Sequence, residues 1–218
     1  MILNIKFFTK DLILLLNKPI FFTSNQVIQL IKKYSLLDKI GHAGTLDPSA
    51  SGILIICTNL ETKLLNIFIK YNKRYLVFSL VGLDSNTLDV FGQIKYFTFD
   101  YLSIKKNIVK FFLSSIKKMS KQKPPIYSSI KHNGHNLYKY SRLELNIKIK
   151  EHPVEIYNIC LVKLIGNMII LDIECSKGTY IREIINTLSL KLKLPIAVYK
   201  IIRLKCSKHS ILDSFNFF

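Results

Sequence analysis

The order of strand and helix patterns along this 218-residue chain agrees with an α+β fold class. Three observations show this agreement. An apolar strand precedes an amphipathic helix near the N-terminus, a strand–loop–strand pattern occupies residues 73–99, and two strands flank the Gly166-Asn167 dipeptide, which favours a tight hairpin turn. Amphipathic helices follow or separate these strands.

The first half of the chain predicts two strands, each followed by a helix. The apolar stretch Leu12–Leu16 predicts a strand, which Pro19 ends. Residues 23–25 offer N-caps for a helix that runs to about Tyr34 on an apolar face. A second strand, Ile53–Cys57, leads into a helix through residues 64–68.

The second half of the chain predicts further hairpins and helices. Lys73-Arg74-Tyr75 opens a strand to about Leu83, and a polar turn over residues 84–92 precedes a strand over residues 93–99. A helix through residues 104–112 precedes a basic, irregular segment over residues 117–123. The remaining predicted elements are strands 154–165 and 168–175, a helix through residues 184–192 and a last strand over residues 197–204.

Length and composition limit the class of protein. The chain suits one domain or a catalytic domain of two lobes, and 49% hydrophobic residues can fill a sizeable core. Its longest uncharged runs, Pro19–Ile31 and Pro48–Leu60, are shorter than the roughly 18 apolar residues that a membrane span needs. The short apolar run after Asp11 does not fit a signal peptide. We therefore expect a cytoplasmic protein with no membrane partner.

A formal net charge of +18 predicts a polyanionic partner, because clustered lysine and arginine release counterions from a phosphate backbone. An AT-rich genome would also encode many lysines, so part of this charge has a mutational explanation. Arginine is the better probe: of 32 basic residues only four are arginine, which leaves 32 − 4 = 28 lysines. The arginines mark candidate positions for a bidentate fork that lysine cannot imitate: Arg74, Arg142, Arg182 and Arg203.

No pattern for a cofactor or a metal is present. The chain has neither Gly-x-Gly-x-x-Gly nor a glycine run followed by Gly-Lys-Ser/Thr. Its four cysteines stand far apart and predict buried thiols rather than a zinc site. His132 and His135 lack a further ligand nearby in sequence. We therefore expect no cofactor and no metal.

The segment Gly41–Gly52, Gly-His-Ala-Gly-Thr-Leu-Asp-Pro-Ser-Ala-Ser-Gly, differs in composition from the rest of the chain. It holds three of the 8 glycines and two of the three alanines. Clustered glycine indicates a backbone that takes special dihedral angles or lies close to another group. A Gly-rich turn between a helix and a strand, with Asp47 as a turn residue before Pro48, is the simpler interpretation; His42 and Asp47 inside the segment favour an active-site loop.

This segment, with its continuation Ile-Leu-Ile-Ile-Cys-Thr-Asn-Leu-Glu-Thr-Lys, closely resembles the catalytic motif of the TruB family of bacterial tRNA pseudouridine-55 synthases. Three further blocks resemble that family in the same order: Lys-Arg-Tyr at residues 73–75, Pro-Pro-Ile-Tyr-Ser-Ser-Ile-Lys at residues 124–131 with the following Gly and Leu-Tyr, and Cys-Ser-Lys-Gly-Thr-Tyr-Ile-Arg at residues 175–182. Together they cover about residues 14–204. Ser49 and Ser129 depart from the residues usual in the family, leucine and alanine, and neither is a catalytic position.

The resemblance implies the pseudouridine-synthase fold, a mixed, mostly antiparallel sheet with flanking helices and a central catalytic cleft. The predicted element order agrees with this fold but does not specify it. The resemblance also implies one catalytic domain over residues 1–218, without the C-terminal PUA domain usual in bacterial members. The expected activity is the isomerisation of uridine 55 in the T loop of tRNA, by a monomer that binds the T arm.

The resemblance assigns a role to each candidate site residue. Asp47 is the catalytic aspartate, which attacks the sugar or removes its C2′ proton, and Arg182 pairs with it. Tyr75 stacks on the uracil and assists the final proton transfer, while Tyr180 lies beneath the base or ribose. The remaining residues are assigned to substrate binding. His42 fills the gap left by the flipped base or is an ordinary hydrogen-bonded loop residue. Lys18 supports the backbone and contacts phosphate. Lys131 is the lysine of the block at residues 124–131.

Two other functions remain open. A catalytically silent RNA-binding module or tRNA-folding chaperone would keep the scaffold and the charge, but such a descendant should have lost Asp47 or Arg182, and both are present. A basic ribosome-associated protein would make the motif matches coincidental. The guide-RNA-dependent synthases share the fold, and the small size argues weakly against them.

Overall fold

The computed structural model describes residues 10–98, 104–128, 130–132, 134–137, 140 and 149–216. These residues fall into two units: the described parts of Met1–Leu76 and Lys200–Phe218 form the first, and those of Val77–Tyr199 form the second. Ser129, Arg142 and most of the Leu-Tyr segment, to which the sequence drew attention, lie outside the described residues.

The regular elements, in chain order, are β1 (Ile13–Lys18), α1 (Ser24–Lys33), β2 (Ile40–Ala43), β3 (Ala50–Thr58), a 3₁₀ helix (Asn59–Leu64), α2 (Leu65–Phe68), β4 (Lys73–Val81), β5 (Leu83–Ser85), β6 (Ile94–Tyr96), α3 (Lys106–Lys117), β7 (Lys121–Gln122), β8 (Lys131–His132), β9 (His135–Asn136), β10 (His152–Pro153), β11 (Ile156–Ile165), β12 (Met168–Cys175), α4 (Ile181–Leu192), β13 (Ile196–Cys206), β14 (His209–Ser210), a second 3₁₀ helix (Ile211–Asp213) and β15 (Phe215–Asn216).

Strand β3 is the centre of the first unit. It pairs antiparallel with β1, from Ile13↔Cys57 to Lys18↔Gly52, and antiparallel with β2. At its beginning it also pairs in parallel with β13, where Arg203 lies opposite Gly52. Neighbours on both edges and apolar groups on both faces explain why Ile53–Cys57 is an uninterrupted apolar run.

The two faces of β3 pack into two separate clusters. On one face, Leu54 and Ile56 contact the apolar side of α1 and residues of β1. On the other, Ile53, Ile55 and Cys57 contact Ala43, Phe68 and Cys206. The alternation of neighbouring side chains across a strand produces this division.

Helix α1 begins as its sequence predicts. Gln26 N–H donates to Thr23 Oγ1 at 3.0 Å, and Thr23 N–H donates to Gln26 Oε1 at 2.7 Å, which forms a capping box. The helix buries Val27, Ile28 and Ile31 against the first cluster. The beginning of α1 is thereby fixed next to the end of β1.

The second unit contains the predicted hairpin β11–β12, which turns at Gly166 with φ +52°. Helix α3 packs against β11 and α4. The shorter hairpin β5–β6 brackets the loop over residues 86–93, and β7 pairs with β10. Antiparallel pairs thus predominate over parallel ones among the described strands, as the predicted fold class requires.

Several predicted boundaries are corrected by the structure. Helix α3 continues to Lys117, and Lys121–Gln122 forms strand β7, so the segment predicted to be irregular is partly regular. The helix predicted through residues 64–68 is confirmed as α2, and a 3₁₀ helix over Asn59–Leu64, which was not predicted, leads into it. Cys160, predicted to be buried, lies on the exposed side of β11. No helix in the described part of the chain is long and apolar enough to cross a bilayer.

Candidate active site

Asp47 lies in the loop over residues 44–49, which joins β2 to β3 in the first unit. Its neighbours on both sides are fixed by hydrogen bonds. The Ser24 hydroxyl bonds both the N–H of Leu46 at 2.9 Å and its carbonyl at 3.2 Å. Phe21 N–H donates to the Pro48 carbonyl at 2.8 Å. The half-buried Asp47 is therefore held from both sides in one backbone position.

Arg203 of β13 fixes the beginning of this loop. Its side chain is 1% exposed, and its Nε donates to the Ile53 carbonyl at 2.7 Å while Nη2 donates to the Gly44 carbonyl at 3.1 Å. One planar guanidinium thus links the first residue of the loop to the strand that follows it. A lysine ammonium lacks this rigid fork.

Two glycines of the motif are required by this arrangement. Gly52 has φ +111°, and a Cβ there would lie 2.3 Å from the Arg203 carbonyl oxygen and 2.6 Å from its nitrogen. Gly44 has φ +90°, a region that favours glycine. The two glycines therefore allow β13 and the Arg203 side chain to approach the loop closely.

Lys18, at the end of β1, is 0% exposed, and its Nζ donates to the carbonyls of Pro19 at 2.8 Å and Phe22 at 2.5 Å. Burial and, to a smaller extent, the Arg203 charge lower the pKa of Lys18 to about 8, although the Asp47 charge opposes both. Lys18 therefore supports the backbone beside Asp47, as predicted. The predicted phosphate contact is corrected, because the ammonium is buried and directed at carbonyls.

Lys73, at the beginning of β4, is a second buried lysine in the first unit. Its Nζ donates to the carbonyls of Ile69 at 2.7 Å and Tyr71 at 2.5 Å. Its Cε would lie 3.7 Å from a Cβ built on Gly44, so its side chain passes next to the loop. We refer to Lys18, Lys73 and Arg203 as the buried cation set.

His42 lies in β2, opposite Ile56, and not in a loop as the sequence suggested. The imidazole is half-buried, and its buried Nδ1 has no hydrogen-bond partner among the described residues. Burial and, to a smaller extent, the Arg203 charge lower the pKa of His42, which favours a neutral ring at neutral pH. The prediction of an ordinary hydrogen-bonded loop residue does not fit this position.

Tyr75 lies in the first unit as the third residue of β4, and the tyrosine residue is 9% exposed. It occupies a buried position in the strand's alternation of buried and partly buried residues. Its contact with the target base stays a prediction.

Arg182 belongs to the second unit, in the first turn of α4, and is buried. Its Nη1 donates to the Thr87 carbonyl at 2.9 Å and its Nη2 to the Tyr127 carbonyl at 3.0 Å, and Nη1 lies 3.7 Å from Asp89 Oδ2. The Arg182 guanidinium donates to two carbonyls at once, as expected at a position where this lysine-rich chain has an arginine. The pairing of Arg182 with Asp47 stays a prediction.

Asp89 is fixed in turn by its own loop. Thr87 Oγ1 donates to Asp89 Oδ1 at 2.8 Å, and Phe91 N–H donates to the same oxygen at 3.1 Å. The carboxylate is buried and faces Arg182. A turn that the sequence marks only as polar thus supplies a buried acidic partner for a site residue.

Tyr180 is the N-cap of α4, and its backbone is held by Gln122 of β7. Gln122 Nε2 donates to the Tyr180 carbonyl at 3.0 Å, and Tyr180 N–H donates to Gln122 Oε1 at 2.8 Å. The His152 ring meets the Tyr180 ring edge-on, with centroids 6.0 Å apart. Lys131 lies in β8, paired with Asn136 of β9.

Sequence reasoning missed the roles of Ser24, Asp89 and Gln122, and named Arg203 only as a candidate position for a bidentate fork. The scarcity of arginine was the signal that pointed to Arg203. Among the described residues no cluster of three or more His, Cys, Asp or Glu side chains could hold a metal ion.

Comparison with known proteins shows the family of the chain. Residues 32–181 match the model of the TruB family pseudouridylate synthase (N terminal domain). The chain is 37% identical over 213 residues to tRNA pseudouridine synthase B of Malacoplasma penetrans, covering 96% of this chain and 90% of that protein. It is 40% identical over 193 residues to the enzyme of the same name from Wigglesworthia glossinidia brevipalpis, covering 88% of this chain and 59% of that protein.

Solved structures agree in fold. A chain of a Cbf5-Nop10-Gar1 complex superposes with a TM-score of 0.68 at 20% identity, covering 98% of this chain and 53% of that one. A chain from an H/ACA RNP bound to a substrate RNA superposes with a TM-score of 0.64 at 19% identity, covering 94% of this chain and 50% of that one. At these identities the likeness shows the fold, and the family model and relatives show the membership: this chain belongs to the TruB family of pseudouridylate synthases.

Proposed function

We propose that this chain isomerises uridine 55 in the T loop of tRNA to pseudouridine, with Asp47 as the catalytic residue. The observation that carries the proposal is the frame around Asp47. Leu46, Pro48 and Gly44 are each hydrogen-bonded to a different segment of the first unit, while Asp47 itself is only half-buried. Such a frame presets the position of a reactive group, which is a large source of rate enhancement.

The chemistry needs no oxidant, reductant or metal. The N1–C1′ bond of the uridine breaks, the base rotates, and a C5–C1′ bond forms. The proton on C5 leaves for solvent and N1 takes up a proton, so the product is an isomer of the substrate. Asp47 serves this sequence either by attacking the sugar as a nucleophile or by removing its C2′ proton. Both routes require an ionised carboxylate at a fixed distance from the ribose.

The buried cation set supports this role through its charge. The Asp47 charge acts on Lys18 strongly enough to oppose the lowering of the Lys18 pKa. Interaction between opposite charges is mutual and increases as water is excluded. Lys18 and Arg203 therefore favour negative charge in the loop that they support.

The remaining site residues complete the proposal. Arg182 pairs with Asp47 in the substrate complex, Tyr75 stacks on the uracil and assists the proton transfer, and Tyr180 lies beneath the base or ribose. Lys131 contributes to RNA binding. These roles rest on the family resemblance, together with the buried, donor-rich surroundings of Arg182 and the fixed backbone of Tyr180.

His42 fills the position that the target base vacates. Uridine in a stacked loop must flip outward, at a cost of a few kcal/mol of unstacking. A neutral imidazole is flat and can replace a base in the stack without burying a charge. The lowered pKa of His42 supports this role, because it keeps the ring neutral at neutral pH.

The proposed substrate contact is the T arm, and the proposed working form is a monomer in the cytoplasm. The charge of +18 supports a polyanionic ligand. The chain spans 90% of the length of one curated relative but only 59% of the length of another. The T-arm contact, the monomeric form and the cytoplasmic location are therefore proposed for this chain and are not taken over from the relatives.

The experiment is tritium release from transcribed tRNA labelled at C5 of uridine, with the product mapped to a single position. We expect release in proportion to pseudouridine at position 55. Asp47→Asn should abolish it while RNA affinity changes by no more than a few-fold, because the amide keeps the shape and removes the nucleophile or base. The exposed Asp38, in the same unit, supplies a matched control: Asp38→Asn should react normally. Turnover by purified Asp47→Asn would overturn the assignment, and modification at another site would overturn the proposed substrate.

A further inference from the structure

Phe21 combines two properties that rarely occur together in one residue. It is 69% exposed, and its backbone has φ +73°. A bulky side chain in the left-handed region is an outlier, because its Cβ approaches the backbone carbonyl. The positive φ of Phe21 costs free energy, and the burial of its ring offsets little of that cost. Stability therefore does not explain why phenylalanine occupies this position.

Nucleotide composition does not supply that explanation. An AT-rich genome encodes asparagine as readily as phenylalanine, and asparagine adopts positive φ at much lower cost. Asn59 follows this preference at φ +45°, whereas Ser207 at φ +52° and the half-buried Leu88 at φ +65° do not. Lys193, at φ +55°, is accounted for as the C-cap of α4. Among the described non-glycine residues with positive φ, only Phe21 is aromatic.

The position of Phe21 is tied to the catalytic loop. Its N–H donates to the Pro48 carbonyl, one residue from Asp47. Lys18 Nζ holds the carbonyls of Pro19 and Phe22 on either side of it, and Ser24 binds Leu46. The backbone from residue 19 to residue 24 is therefore fixed to the loop at several points. The Phe21 ring is therefore exposed to solvent on a backbone that is fixed to the loop that carries Asp47.

We propose that Phe21 is a stacking subsite for an unpaired base of the substrate RNA next to the target uridine. This inference rests on the proposed function, since it takes the same RNA as ligand. Every base has an aromatic face, and base–aromatic stacking is the common way in which proteins hold unpaired nucleotides. A flipped uridine leaves its neighbours partly unstacked, and an exposed ring on a fixed backbone offers them a new partner without further ordering.

Fluorescence tests this directly, because the chain contains no tryptophan. Phe21→Trp keeps an aromatic ring and introduces a single fluorophore. In the Asp47→Asn background, which prevents turnover, we expect strong quenching when a T-arm stem-loop RNA is added. Tyr34→Trp is the matched control: Tyr34 is 51% exposed at the opposite end of α1, roughly 15 Å along the helix axis. Unchanged emission from Phe21→Trp at saturating RNA, or equal quenching in both variants, would overturn the proposal.

Removal of the ring gives a second, independent measurement. Phe21→Asn should weaken stem-loop affinity at least about fivefold, the low end of a base–aromatic stack, and should raise the melting temperature because asparagine tolerates this φ. Tyr34→Asn should leave affinity unchanged. Wild-type affinity in Phe21→Asn would refute the subsite. Tritium release by the wild-type protein is measured alongside, so failure of the subsite and failure of the proposed function are distinguishable.

Discussion

Arg203 offers the sharpest test of how the active-site loop is held. Its guanidinium joins the carbonyl of Gly44 to that of Ile53, which lie nine residues apart on either side of Asp47. Arg203→Lys keeps the charge and the aliphatic stem but leaves one compact ammonium in place of a planar fork. We expect the ammonium to reach one carbonyl and to lose the other.

The magnitude follows from the lost hydrogen bond. A hydrogen bond to a charged group contributes about 1.5–3 kcal/mol, so Arg203→Lys should lower the free energy of unfolding by about that amount, and Arg203→Met by up to twice as much. Since domains are stable by only about 5–15 kcal/mol, the lysine variant is the one to assay. Misplacement of a catalytic group by about 1 Å can reduce the rate on the order of a hundredfold. We expect at least a tenfold loss, equivalent to about 1.4 kcal/mol in the barrier.

The assay is single-turnover tritium release at saturating enzyme, well below the melting temperature, with RNA affinity measured separately. Arg203→Lys should slow the chemical step and leave the dissociation constant within a few-fold. Lys205→Met is the control, because it removes a positive charge from an exposed position of the same strand. A wild-type rate in folded Arg203→Lys, or an equal loss in Lys205→Met, would refute the reasoning.

A second measurement separates electrostatics from general damage. The Arg203 charge contributes to the lowered pKa of His42. Arg203→Met removes that charge, so the His42 pKa should rise towards its ordinary value of 6.5 when followed by NMR. An unchanged His42 pKa in the folded variant would show that the guanidinium is not close enough to act on the ring.

Three further predictions follow from the site. Arg182→Lys should lose at least about tenfold in turnover, because one ammonium cannot serve the carbonyls of Thr87 and Tyr127 while facing Asp89; a wild-type rate would make this arginine incidental. Burial lowers the pKa of Lys18 from 10.5 to about 8, so the unfolded chain binds more protons than the folded chain between these pH values. Over that window the free energy of unfolding of the wild-type protein should therefore rise relative to that of Lys18→Met, by about 3 kcal/mol at most. Denaturant titrations in which this difference does not change with pH would contradict the buried charge. A T-arm stem-loop should be modified nearly as efficiently as intact tRNA, with affinity falling steeply with salt, by about 0.9 in log–log slope for each phosphate neutralised in a duplex; a strong preference for intact tRNA that persists at high salt would exclude it.

Features set by short stretches of sequence were predictable. The capping box of α1 needs only Thr23 and Gln26, and the β11–β12 turn needs only Gly166 and Asn167. The clustered glycines of Gly41–Gly52 likewise indicate a constrained backbone by themselves. Local steric and hydrogen-bonding rules decide these features, and such rules act within a few residues.

Features set by contacts distant in sequence were not predictable. Gly52 looked like the end of a loop, but it lies within β3 and is required by the backbone of Arg203, 151 positions later. Nothing near Gly52 encodes the parallel register of β13 on β3. Likewise, the positive φ of Phe21 depends on the Pro48 carbonyl that its N–H meets, and a Phe-Phe pair alone predicts no such conformation.

The buried cation set is explained by the backbone carbonyls that it serves. The lowered pKa of Lys18 shows that burying its charge costs free energy, so stability alone does not account for it. Lys18, Lys73 and Arg203 each donate to two main-chain carbonyls, in the segments before, beside and within the active-site loop. No substitution removes a carbonyl from the main chain, and a buried carbonyl without a donor is costly. A loop that directs carbonyls inward therefore requires buried donors, and lysine and arginine are side chains that donate several hydrogen bonds and accept none. Lys18 also interacts with the Asp47 charge, so a residue that shapes the loop favours the anion on which the proposed chemistry depends.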